Sequence, residues 1–194
     1  MKVLVVFDDT VEKSEIIVDV IGDRGFSDVV VKRQRLEDYY CEKIKSLYPQ
    51  AEWRLVRSVY EFHEMLPKLE TYWEQDTRVL HCFSNYMISE EEKMRLSFEK
   101  LCYIHESYRV LNSGKAAALM FRDIADYEAY IASICSGLTS ADAARQITES
   151  FAAEGLVDIS IVENFIHCIA GNFDSRYFNS LQGDAYTLVK SSTD

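Results

Sequence analysis

Residues Val3 to Phe7 form an unbroken apolar run, Val-Leu-Val-Val-Phe, that leads directly into Asp8, Asp9 and Thr10. A run this short and this rich in β-branched residues is how a strand buried on both faces reads. Such a strand needs a neighbour on each side and helices above and below. The two carboxylates and the hydroxyl then fall at its carboxyl end, where the next helix begins. In open α/β sheets that edge is where ligands bind. The stretch fixes a fold class and a place for a site, without naming a reaction.

The chain that follows supplies the neighbours. Ser14 can cap a helix with Ile16, Ile17, Val20 and Ile21 on one face, ended by Gly22 or Gly25. Val29 to Val31 reads as a second buried strand. Leu36, Tyr40, Ile44 and Leu47 repeat at helical spacing up to Pro49. Trp53 to Val56 is a third, weaker strand. Ser58 and Glu61 form a capping box ahead of Phe62, Met65, Leu66, Leu69 and Trp73, with Pro67 placed to kink that helix. Arg78 to Phe83 is a fourth strand ending in Ser84-Asn85. Ser89 and Glu92 form a second capping box, ahead of Met94, Phe98, Leu101 and Cys102. Tyr108–Leu111 and Lys115–Phe121 read as two strands around Asn112-Ser113-Gly114, and Asp123 caps a helix carrying Ile124, Tyr127, Ile131 and Ile134. This alternation predicts an α/β three-layer sandwich with a mostly parallel, Rossmann-like central sheet over residues 1–136.

Gly137 marks a change. Residues 137–171 read as a helical hairpin: Ala144, Ile147 and Phe151 face inward until Gly155, then Asp158 caps a helix with Val162, Phe165, Ile166 and Ile169 inward until Gly171. Its charges are Asp142, Arg145, Glu149, Glu154, Asp158 and Glu163, so a helix-turn-helix reading would present phosphates with a mainly acidic face and is rejected. Residues 172–194 read as a β-hairpin tail turning at Gln182-Gly183-Asp184, with room for it to open a further domain. The apolar stretch Ile159–Ile169 motivates an alternative of another class: a non-catalytic regulatory domain that forms a homodimer through its C-terminal helices.

Charge narrows the partners. The formal net charge is −11 and the only dense basic cluster is Lys32-Arg33-Arg35. Nucleic acid and anionic membrane surfaces are therefore excluded as partners. No run has the length of a membrane span, and Asp8-Asp9 cuts the first apolar run short of a signal segment. The five cysteines are widely spaced with no Cys-x-x-Cys, which suits reduced, mostly buried thiols in the cytoplasm.

Asp8-Asp9 is the sharpest chemical feature. Adjacent carboxylates at a strand end can hold Mg²⁺, a hard cation that prefers oxygen ligands. The plainer alternative is a pair that merely favours the amino end of the next helix. A response-regulator receiver needs an Asp after its third strand, where Arg57-Ser58 stands; a haloacid-dehalogenase phosphatase needs Asp-x-Asp, which Asp8-Asp9-Thr10 does not supply. His81-Cys82 and His167-Cys168 repeat a dipeptide, but neighbours on a strand face opposite ways, so His81 is better read as a core histidine with a hydrogen-bonded partner. There is no nucleophile elbow, no Gly-x-Gly-x-x-Gly and no Walker loop. Tyr39, Tyr40, Tyr127 and Tyr130 read as core, with a partner surface as the lesser alternative.

With these residues in place, the first 135 residues resemble the α/β layout of nucleotide-sugar pyrophosphorylases. The resemblance implies a glycine-rich nucleotide loop where this chain has Asp8-Asp9-Thr10, and a metal-binding Asp near Ser84-Asn85. The segment from Arg176 to Lys190 is similar to the opening hairpin of choline-kinase-like phosphotransferases, with Gly183 in the nucleotide-covering turn and Lys190 near the phosphate-binding lysine. Bacterial capsule proteins join two such domains in this order. What the resemblance implies is a nucleotide- or sugar-nucleotide-handling, nucleotidyltransferase-like domain in surface-polysaccharide assembly, with catalysis left open. Asp8 and Asp9 would be the catalytic and Mg²⁺-binding pair. Thr10, Ser84 and Asn85 would line the pocket for a nucleotide or sugar phosphate, and Lys115 or Arg122 would balance phosphate charge.

Overall fold

The computed structural model describes residues 2–13, 15–31, 33–72, 76–88, 107–112, 115–121, 123–153 and 166–168. The apolar opening run is strand β1 (Lys2–Asp8), buried from Val3 to Asp8. It pairs in parallel with β4 (Glu52–Val56) on one side and β5 (Thr77–Phe83) on the other. Burying each of its large apolar side chains is worth on the order of 1.5–3 kcal/mol, which is why the run occupies the sheet interior. β5 then pairs antiparallel with β8 (Lys115–Phe121), and β8 with β7 (Ser107–Asn112), giving the order β4-β1-β5-β8-β7. A bulge interrupts the last pair between Val110 and Leu111.

The two faces of β1 have different covers. Phe7 packs against Tyr40 of helix α2 (Leu36–Leu47), the rings tilted with centroids 5.1 Å apart. On the opposite face His81 of β5 meets Phe62 of α3 (Val59–Met65) and Tyr127 and Tyr130 of α4 (Ile124–Cys135). The result is the expected three-layer α/β sandwich around a Rossmann-like sheet, parallel at β4, β1 and β5 and antiparallel beyond.

Helix α1 (Glu15–Ile21) is ended by Gly22, whose φ of +64° allows its N–H to reach the carbonyl of Val18. The capping box before α3 is half reciprocal. Ser58 Oγ accepts from Glu61 N–H, but the Glu61 carboxylate reaches back to the N–H of Arg57. Pro67 converts the helix rather than kinking it: residues Leu66–Tyr72 continue as a 3₁₀ helix. Asp123 caps α4 through the N–H of Ala125.

Two expectations need correction. Val30–Val31 (β2) does not enter the main sheet. It pairs antiparallel with Gln34–Arg35 (β3) in a separate ribbon, turned by Arg33 at φ 68°. The place beside β1 is taken by β4. In the expected helical hairpin the first helix is present as α5 (Ser140–Ala153), with Ala143 and Ala144 in the core. At the expected second helix, residues Ile166–Cys168 are instead extended (β9) and pair antiparallel with β6 (Tyr86–Ile88). Ile166 belongs to the expected helix, so the dimer surface expected there loses its helical form at these positions. The Ser89–Cys102 helix, the Asp158 cap and the tail at 172–194 lie outside the described residues.

Candidate functional site

The sheet changes direction of growth at β1. The chain leaves β1, returns as β4 on one side, and next enters the sheet as β5 on the other. That crossing is a topological switch point, and in open α/β sheets the crevice outside the strand ends opens there. Asp8, Asp9 and Thr10 follow from β1, and Ser84 and Asn85 from β5. Two hydrogen bonds pin the strand ends: Ser84 N–H to the carbonyl of Asp8 at 2.9 Å, and Asp9 N–H to the carbonyl of Val56 at 2.8 Å.

The adjacent carboxylates face different surroundings. Asp8 is fully buried. Its Oδ2 lies 2.9 Å from His81 Nε2, and its Oδ1 accepts the N–H and the hydroxyl of Thr10 at 2.9 and 2.6 Å. Thr10 Oγ1 lies 2.9 Å from Ser140 Oγ at the start of α5. Burial by itself pushes the Asp8 carboxyl up. The His81 hydrogen bond, the attraction of that ring when charged, and the two Thr10 donors outweigh it and hold Asp8 below the ordinary carboxylate value. On the far side of His81, Nδ1 lies 3.1 Å from the hydroxyl of Tyr127. Burial, first, and the nearby Asp8 charge push the Tyr127 and Tyr130 phenols well up, so both stay protonated.

Asp9 is half-buried and turns to the loop after α1. Its Oδ1 accepts the hydroxyl of Ser84 at 2.7 Å and the N–H of Ser27 at 3.3 Å, and its Oδ2 accepts the Ser27 hydroxyl. Arg57, at the carboxyl end of β4, reaches Asp28 at 2.8 Å and stands 3.4 Å from Ser27 Oγ. A hydrogen-bonded string thus crosses the ends of β4, β1 and β5 in turn.

Five of the expected residues are therefore gathered at one edge: Asp8, Asp9, Thr10, Ser84 and Asn85. The Oδ1 of Asn85 is buried and takes no hydrogen bond among the described residues. Lys115 opens β8, and continuing the register past the Cys82–Ala118 pair brings its backbone to this same edge. Arg122 lies outside the described residues; its neighbour Phe121 pairs with Val79, toward the amino end of β5.

The Mg²⁺ expected from the acidic pair does not fit Asp8, which has no surface and whose oxygens already receive three donors. Asp9 receives three donors as well. Among the described residues no three His, Cys, Asp or Glu side chains stand close enough to share a metal ion. His81 is the expected core histidine. What the sequence reading missed is its partner, Asp8, together with Ser27, Ser140 and the two tyrosine hydroxyls. The one available signal was a histidine set inside the apolar strand Val79-Leu80-His81-Cys82-Phe83.

No family model matches the chain. No curated protein matches it. Among solved structures it is similar to a protein assigned as a glucose-1-phosphate thymidylyltransferase from Bacillus anthracis, in complex with a sucrose, at 10% identity over 94% of this chain and 95% of that one, with a TM-score of 0.49. It is also similar to 4-diphosphocytidyl-2C-methyl-D-erythritol synthase, at 11% identity over 93% and 98%, with a TM-score of 0.38. Likeness this distant carries no argument about function.

Proposed function

We propose that the chain is a nucleotide- or sugar-nucleotide-handling domain that holds its ligand outside the carboxyl ends of β1 and β5. The observation that carries the reading is the switch point: the order β4-β1-β5 gathers Thr10, Ser84 and Asn85 where an α/β sheet opens a crevice. In this reading Asp8 and Asp9 hold the strand ends and loops beneath the ligand and are not metal ligands. Thr10 and Asn85 contact the ligand, and Lys115 balances its phosphate charge. The setting in bacterial surface-polysaccharide assembly belongs to the same proposal. It rests on the resemblance of Arg176–Lys190 to the opening hairpin of choline-kinase-like phosphotransferases.

Calorimetry with CTP and UTP, with and without Mg²⁺, tests the reading. Saturable binding is expected, weakened about fivefold or more by Asn85→Ala and by Lys115→Ala, the loss that removing one hydrogen bond or ionic contact produces. Absence of heat at millimolar nucleotide, or variants that bind as the parent does, would overturn it.

A further inference from the structure

His81 is buried in the sheet interior, yet every polar atom it carries is engaged. The groups facing its ring are Asp8 from β1, Tyr127 and Tyr130 from α4, Phe62 from α3 and Phe83 from its own strand. Donor accounting orders the protons. A carboxylate only accepts, so His81 Nε2 carries the hydrogen toward Asp8 Oδ2. Tyr127 keeps its proton, and the acceptor within reach is His81 Nδ1 at 3.1 Å. On the other side the single hydroxyl proton of Thr10 is spent on Asp8 Oδ1, so Ser140 is the donor in the Thr10–Ser140 bond. From both ends the protons point to one carboxylate: Tyr127 to His81 to Asp8, and Ser140 to Thr10 to Asp8. This string joins α4, β5, β1, the loop after β1 and α5.

We infer that His81 is a positioning residue: it orients Asp8 from inside the core and through Asp8 sets the Thr10 loop and the first turn of α5. Its effect on ligand binding rests on the function proposed above, while its effect on the loop does not. A hydrophobic side chain would fill the same space more cheaply, because a buried ion-and-hydrogen-bond group costs desolvation that packing does not. What the imidazole adds is direction. It holds one Asp8 oxygen so that the other is presented to Thr10.

The experiment uses the full chain and three variants: His81→Leu, His81→Gln, whose amide can still donate to Asp8, and Tyr127→Phe. Nitrogen NMR of the parent is expected to show the hydrogen of His81 on Nε2. Amide exchange at Thr10 is expected to quicken about tenfold or more in His81→Leu, while amides of α2, on the other face, keep their rates. His81→Gln restores much of the protection, which simple loss of packing would not. Tyr127→Phe, the mildest change, removes only the hydroxyl facing Nδ1, is expected to leave the hydrogen on Nε2 and to quicken Thr10 exchange less than His81→Leu does, and serves if His81→Leu does not fold. A parent ring with no hydrogen on Nε2 would overturn the inference. So would Thr10 exchange that moves only in step with α2. If the parent binds no CTP or UTP, the functional reading falls, and the Thr10 rates still decide the role of His81.

Discussion

Gly25 and Asp9 stand so close that no side chain fits between them: a Cβ built on Gly25 would lie 2.1 Å from Oδ2 of Asp9. The backbone of Gly25 is ordinary, at φ −71° and ψ 160°, so the demand is for space and not for an unusual conformation. Gly25→Ala must push the Asp9 carboxylate off Ser27 and is expected to cost about 1–3 kcal/mol, the usual range for overpacking. Urea denaturation measures this. A variant as stable as the parent would show that the loop gives way freely.

Asp8 makes stability depend on pH. Its carboxyl is held below the ordinary value in the folded chain. The stability it contributes is fully present above the unfolded value of about 3.9 and is lost as pH falls through the lower folded value. Asp8→Asn should flatten that part of the pH–stability curve. It should also cost about 3 kcal/mol at neutral pH, because the amide offers one accepting oxygen and a donating NH₂ where three donors, from His81 and Thr10, converge. Denaturant curves run from neutral pH down through the carboxylate range check both statements.

Thr10 and Ser140 meet across 130 residues of sequence, at 2.9 Å. In a double-mutant cycle, Thr10→Val and Ser140→Ala should couple by about 1 kcal/mol, the size of one net hydrogen bond. Additive effects would mean that the contact carries no energy.

The described cysteines should separate by reactivity. Cys82 is buried, and burial pushes its thiol far up, whereas Cys41 and Cys135 are partly exposed. Alkylation followed by mass mapping should label Cys41 and Cys135 in the native chain and Cys82 only on unfolding, since thiolate and access both govern the rate. Rapid native labelling of Cys82 would contradict its place in the sheet.

How far the sequence predicts this molecule depends on the reach of each contact. β1 was legible because an unbroken apolar run bounded by charges has few other homes. The caps at Ser58 and Asp123 were legible because they involve residues two or three apart. Val30–Val31 misled because three valines resemble a core strand, and only the turn at Arg33 takes them out of the sheet. Ile166–Cys168 misled because a short apolar run suits helix and strand equally. At the site, the strand ends identified Asp8, Asp9, Thr10, Ser84 and Asn85. Their partners were hidden, since nothing local links Asp8 to His81 or Asp9 to Ser27. The adjacency of Asp8 and Asp9 suggests a shared ion, whereas Asp8 ends β1 against His81 and Asp9, just past the strand, turns to Ser27 and Ser84.

The placement of β1 has a consequence for synthesis. Its partners are β4 and β5, both of which leave the ribosome later. Until Glu52–Val56 has emerged, Val3–Phe7 is a bare, sticky thread with two unfilled edges, and one edge stays open until Thr77–Phe83 follows. Nascent chains halted between β1 and β5 are the forms a chaperone would have to shield, and the ones most prone to clump.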